Sequence, residues 1–195
     1  SGVDIVVDYH KKVGKNKYKA VFAGNIQTMD IDKINVPAKL SGSEALRQTF
    51  LSDREQKFIL ASAPKTKFAI NLEYGISNLT VGTRLTYFGK VVLLGYGQDG
   101  LGINPTVPLD NGTGDVPDQY NYGGKLVNDL YVGYTFNKNF SLFAGADNLF
   151  NNHPDFGVVK GAKDWAYNTE TGGAWDAVQM GANGRRLFVR LGFNF

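Results

Sequence analysis

Arg186-Leu187-Phe188-Val189-Arg190-Leu191-Gly192-Phe193-Asn194-Phe195 is the stretch whose reading decides the fold. Leu187, Val189, Leu191, Phe193 and Phe195 alternate with residues that include Arg186, Arg190 and Asn194. Period-2 alternation over this length specifies a β-strand with one apolar and one polar face. About ten residues ending on aromatics suits a strand that crosses a bilayer, with one face toward lipid and the other toward a polar lumen. A soluble edge strand would carry the same alternation, so the decision passes to the other strands.

Six further segments read as strands: Val3–Lys12, Lys17–Thr28, Lys67–Ile76, Leu79–Gly95, Leu126–Asn137 and Phe140–Phe150. Val3, Ile5, Val7 and Tyr9 oppose Asp4, Asp8 and His10 in the first. Tyr18, Ala20, Phe22 and Ile26 oppose lysines and amides in the second, and Phe68, Ile70, Leu72 and Tyr74 oppose Lys67, Asn71 and Glu73 in the third. A lysine or arginine on a lipid face near the midplane costs about 2 to 4 kcal/mol, which accounts for such sorting. Tyr9, Tyr18, Tyr74, Tyr134, Phe136, Phe140, Phe193 and Phe195 gather on the apolar face near the short-turn ends, as an interfacial aromatic girdle requires.

The connections alternate between short and long. Val13-Gly14-Lys15-Asn16, Ser77-Asn78 and Lys138-Asn139 are hairpin turns, whereas Met29–Thr66, Tyr96–Lys125 and Asn151–Arg185 are long loops. The expected fold is all-β: an antiparallel transmembrane β-barrel segment of about seven strands. Single-chain bacterial barrels have an even strand number. An odd count therefore predicts the C-terminal part of a larger barrel, unless Phe58–Ala63 or part of Asn151–Gly184 is a further strand. A small self-closed barrel with an adhesin or structural role is the alternative.

Composition narrows the function classes. No run approaches the ~18 to 20 apolar residues of a membrane helix. The net charge of +3 is too small and too evenly spread to argue for nucleic acid, and cysteine is absent. No secretory signal opens the sequence, which an outer-membrane protein needs in its precursor. No catalytic residue, metal site or cofactor is expected. His10 and His153 fall on opposite rims, and only His153 with Asp155 resembles an acid–base grouping. Asp99, Asp110, Asp115 and Asp118 lack calcium-loop spacing. Ser41-x-x-Glu44 and Ser52-x-x-Glu55 have capping-box spacing and predict short helices in the first long loop.

Candidate site residues fall into three groups. Arg84, Lys90, Asp129, Asp147, Arg186 and Arg190 are expected on the lumen face, either lining a path or pairing across strands. Trp165, Tyr167 and Trp175 offer aromatic platforms in the last long loop for a siderophore, haem or glycan, or form that loop's own small core. Phe193 and Phe195 close the final strand.

Phe140 to Asn151, ending Asp147-Asn148-Leu149-Phe150-Asn151 and followed by His153-Pro154-Asp155, resembles the penultimate strand of TonB-dependent outer-membrane receptors. Gly184-Arg185-Arg186 through Phe195 resembles their last strand, and Gly2-Val3-Asp4-Ile5 resembles a common strand start in the same barrels. The resemblance implies a barrel of about 22 strands plugged by an N-terminal domain. Such receptors import a scarce nutrient with energy delivered through TonB. It implies an outer-membrane location with a periplasmic C-terminus and outer-membrane lipid around the wall. The expected partners are the remaining strands, the plug domain, TonB through the parent receptor, and the barrel assembly machinery reading Phe193 and Phe195. Neither plug nor TonB-contacting motif has a counterpart here, so the implied transport belongs to a parent assembly.

Overall fold

The computed structural model describes residues 1–98, 103, 105–162 and 179–194. Seven strands form one antiparallel sheet: β1 (Gly2–Val13), β2 (Asn16–Gln27), β3 (Thr66–Ile76), β4 (Leu79–Phe88), β9 (Lys125–Thr135), β10 (Phe140–Asp147) and β11 (Arg186–Phe193). Each pairs with its neighbour in the order just given, and β1 does not pair with β11. β1, β2, β3, β4 and β9, of 10 to 12 residues each, match what a tilted strand needs to cross a hydrocarbon core. No helix is long and apolar enough to do so, which says nothing about crossing by strands.

Register carries the apolar face across every strand. Val7 faces Phe22, Phe22 faces Ile70, and Ile70 faces Leu85. Farther on, Val81 faces Val132, Val132 faces Ala144, and Ala144 faces Val189. Nothing in the described chain covers this face: Val7 is 57% exposed, Val132 42% and Val189 70%. An aqueous sheet of this kind would be packed against a second layer. One charge interrupts the sorting: Lys11 shares the parity of Tyr9 and faces Tyr18, at the short-turn rim.

The girdle residues meet as expected. Tyr18 and Tyr74 lie 5.3 Å apart, and Tyr134, Phe136, Phe140 and Phe193 form a chain of rings with centroids 4.8 to 5.2 Å apart. Phe22, Phe68 and Tyr87 make a second row toward the long-loop rim. Phe195 lies outside the described residues.

Two strands are shorter than their sequence patterns suggest. Leu79–Gly95 is not continuous: β4 ends at Phe88, and β5 (Val91–Leu94) belongs to another sheet. Gly89 sits at the break, where a Cβ would lie 2.8 Å from the Thr66 carbonyl oxygen. Its N–H donates to that same oxygen. Phe140–Phe150 ends at Asp147, because Asn148 takes a left-handed conformation at φ 50°.

The described parts of the long connections are folded rather than open. β6 (Thr106–Pro108) pairs with β7 (Asp115–Pro117), and β5 pairs with β8 (Gln119–Tyr122). Helices α1 (Glu44–Phe50) and α2 (Asp53–Leu60) fill part of the first long loop, so Phe58 is helical and the Phe58–Ala63 strand alternative fails. Ser52 caps α2 with the expected reciprocal box. The Ser41 box does not form: Ser43 is the residue that caps α1, accepting from the Leu46 N–H at 3.2 Å.

Candidate functional site

Two regions can carry function: the polar face of the sheet and the cap built from the long connections. On the polar face, one row of residues runs Lys19, Glu73, Gly82, Tyr131, Gly145 and Phe188 across six strands. The Tyr131 ring crosses over Gly82, and its hydroxyl donates to Glu73 Oε2 at 2.6 Å. Phe143 lies opposite Gly133, 5.0 Å from the Tyr131 ring and 5.9 Å from that of Phe188. Each large ring fills the notch left by a glycine on the adjacent strand, as aromatic rescue describes. This ladder makes part of the polar face stiff and apolar, which alternation alone does not reveal.

The expected charged residues sort into paired and unpaired. Arg186 Nε donates to Asp147 Oδ2 at 2.7 Å, and the two residues are register partners. Arg84 faces Asp129 and donates to Asn71 Oδ1 at 2.9 Å, while Asp129 accepts from the Asn148 N–H at 2.8 Å. These four side chains hold neighbouring strands together. Arg190 faces Phe143, is exposed, and has no polar partner among the described residues. Lys90 is displaced from the sheet into the break between β4 and β5.

At the short-turn rim the polar face turns cationic. Lys12 faces Lys17 and His10 faces Lys19, with His10 Nε2 2.6 Å from Asp8.

The stretch that follows β10 is a hydrogen-bonded staple. The Asn148 side chain accepts from the Asn152 N–H at 2.9 Å and donates to the Asn152 carbonyl at 2.7 Å. Asn151, also left-handed at φ 56°, accepts the Arg185 N–H at 2.8 Å. Asn152 donates to the Leu126 carbonyl on β9. Asparagine tolerates this conformation and supplies both donor and acceptor, so the motif has a structural cause.

The cap has its own core of Ala61, Val91, Leu93, Tyr120 and Tyr122, with Val159 packed against it. The Arg54 guanidinium stacks over Tyr96 at 3.9 Å and Phe58 at 5.0 Å. Buried Asp118 accepts the Gly97 N–H at 2.9 Å. Burial, reinforced by the Asp118 charge, pushes the Tyr120 hydroxyl well above its usual range and keeps it neutral. Gln179 donates to the carbonyls of Gly89, Tyr122 and Gly123, tying the third connection to both ends of the second.

Asp155 accepts from the Lys125 ammonium and, at 2.7 Å, from the Gly123 N–H. Burial alone would raise this carboxyl, but those two donors more than offset it and hold it below the usual carboxylate range. Asp155 is thus committed to closing the cap rather than to His153.

Among the described residues, two clefts open in the cap. One of 640 Å³ lies among Val116, Gln119, Asn121, Phe156, Val158 and Lys160. The other, of 520 Å³, lies beneath α2 and contains Lys57, Lys65, Lys90 and Asp30 over Met29, Leu60, Tyr87 and Val91. Trp165, Tyr167 and Trp175 lie outside the described residues. Among the described residues, no group of three or more His, Cys, Asp or Glu side chains is placed to hold a metal ion.

No protein-family model matches the chain, and no curated protein matches it. Among solved structures it is similar to one described as "Copper transporter OprC", at 15% identity and a TM-score of 0.45. The match covers 100% of this chain and 23% of that one, so the chain spans less than a quarter of that protein's length.

Proposed function

We propose that this chain forms part of the wall and outer loops of a TonB-dependent outer-membrane receptor that takes up a scarce nutrient. The observation that carries the reading is the seven-stranded sheet whose predominantly apolar face has no covering layer among the described residues. Bilayer hydrocarbon is the solvent such a face requires, and aromatic girdles mark where it would end. The resemblance of the 147–155 stretch and the last strand to those receptors supplies the family. In this reading the short turns are periplasmic, the cap is extracellular, and the polar face looks inward on a plug domain carried by the rest of the receptor. Of the wall charges expected on the lumen side, Arg190 is left available for a plug or passing solute, and the cap cleft among Val116, Gln119 and Phe156 lies at the entrance. Further strands complete the wall beyond β1 and β11, since open edges of this length otherwise aggregate.

The sequence has no cysteine, which allows a clean test. Single Val132→Cys and Val189→Cys variants in outer-membrane preparations should resist a membrane-impermeant maleimide until the membrane is dissolved. Thr80→Cys and Arg190→Cys should label once both sides are accessible. Equal labelling at all four positions would refute a lipid-facing wall. Mass mapping of the polypeptides that co-purify with the chain should find a plug and the missing strands. Uptake by that assembly should stop when the inner-membrane energy source is removed.

A further inference from the structure

The cleft beneath α2 is not on the polar face. Thr66 and Tyr87, which line it, share the apolar parity of β3 and β4, and Tyr87 continues the ring row of Phe22 and Phe68. The cleft therefore opens on the lipid-facing side, at the long-loop rim, where hydrocarbon would give way to headgroups. Its walls combine Met29, Leu60, Tyr87 and Val91 with the ammoniums of Lys57, Lys65 and Lys90. Three separate elements supply those lysines: α2, the approach to β3, and the break after β4. None has an ion-pair partner among the described residues, and Asp30 is the single acid lining the cleft.

Lys90 is placed by construction rather than by chance. Gly89 can turn the chain there because it has no Cβ to strike Thr66, and its carbonyl is held by Gln179. Three cations facing a single acid over an apolar floor leave a net positive cleft, and the arrangement is stabilised by an anion with an apolar tail.

We infer that this cleft binds the phosphate-bearing headgroup of an outer-leaflet glycolipid, with Lys57, Lys65 and Lys90 on the phosphates and the acyl chains running down past Tyr87. The inference rests on the proposed membrane orientation. Each lysine contributes about a five-fold gain in affinity for an anionic headgroup.

The detergent-purified protein, with whatever partners it retains, would be titrated with bisphosphorylated lipid A, its monophosphorylated form and inorganic pyrophosphate. Binding would be read by native mass spectrometry. The expected result is retention of lipid A, weaker retention of the monophosphorylated form, and little competition by pyrophosphate. The K57Q/K65Q/K90Q variant should lose roughly a hundred-fold in affinity. The K12Q/K17Q/K19Q variant, altered at the opposite rim, should bind as wild type.

Unchanged binding by the first variant, with heat-modifiable migration intact, would overturn the inference. Equal potency of pyrophosphate would also overturn it, pointing instead to a site for a soluble anion. If Val132→Cys labels freely in intact membranes, the orientation itself fails. If Val132→Cys is protected while the lysine variant still binds, this inference alone fails.

Discussion

Gly82→Ala is the change that most directly tests the ring ladder. A Cβ at this position would lie 2.1 Å from Tyr131 Cζ and 2.3 Å from its hydroxyl oxygen, so the ring must leave. Leaving breaks the 2.6 Å hydrogen bond to Glu73 and the contact with Phe143. A hydrogen bond to a charged acceptor contributes about 1.5 to 3 kcal/mol and a ring pair about 0.5 to 1.5. Both groups are only partly buried, so the lower halves of those ranges apply and the expected cost is about 2 to 3 kcal/mol. Tyr131→Ala should cost a similar amount. The double variant should cost no more than Tyr131→Ala alone, because the new methyl group then has room and alanine is the better strand residue. Urea unfolding of the purified protein in detergent, followed by heat-modifiable migration, gives all three values. Additivity of the two single changes to within about 0.5 kcal/mol would show that Gly82 and Tyr131 are not coupled and would refute the ladder.

Three other outcomes are expected. Asn148→Ala should destabilise by roughly 2 to 3 kcal/mol in the same assay, through a strained left-handed backbone and two lost side-chain bonds, whereas Asn148→Gly keeps the backbone and should cost less. Asp147→Asn should cost less than about 1 kcal/mol, since Arg186 is largely solvated; a larger loss would mean that the pair is shielded. The Asp155 carboxyl is depressed in the folded protein, so its contribution is complete above its ordinary unfolded pKa and is lost as pH falls below it. Hydrogen-exchange protection of the Gly123 amide should therefore decline below about pH 4, and Asp155→Asn should show weak protection with no such decline.

Periodicity made the sheet legible because strand parity is a two-valued property that each residue reports independently. Val132, Tyr134 and Phe136 vote for the same face whatever their partners are. Hairpin turns were equally readable, since Gly14 and Ser77 take positive φ where two-residue turns demand it. The Ser52 box was legible for the same local reason. Features that depend on register were not. The notches at Gly82, Gly133 and Gly145 acquire meaning only when Tyr131, Phe143 and Phe188 are known to face glycines on adjacent strands. Parity continued through Gly89 would put Lys90 on the polar face, but the chain turns out of the sheet at Gly89. The short strands of the cap are not legible in the sequence because three or four residues such as Thr106–Pro108 give too little alternation to count. Arg84, Asp129, Asp147 and Arg186 were visible as residues, but that Arg84 faces Asp129 and that Asp147 pairs with Arg186 required the register.

Phe88 and Lys125 are direct register partners, so residues 89–124 leave and rejoin the wall at neighbouring points. To the sheet, all of β5 to β8 is one oversized hairpin turn. Its outer surface is free to change in length and sequence without shifting a single cross-strand pair. The sheet can thus stay fixed while the cap is remodelled, and a chimaera that exchanges 89–124 for another hairpin should keep the register of the seven strands while altering the cap's surface.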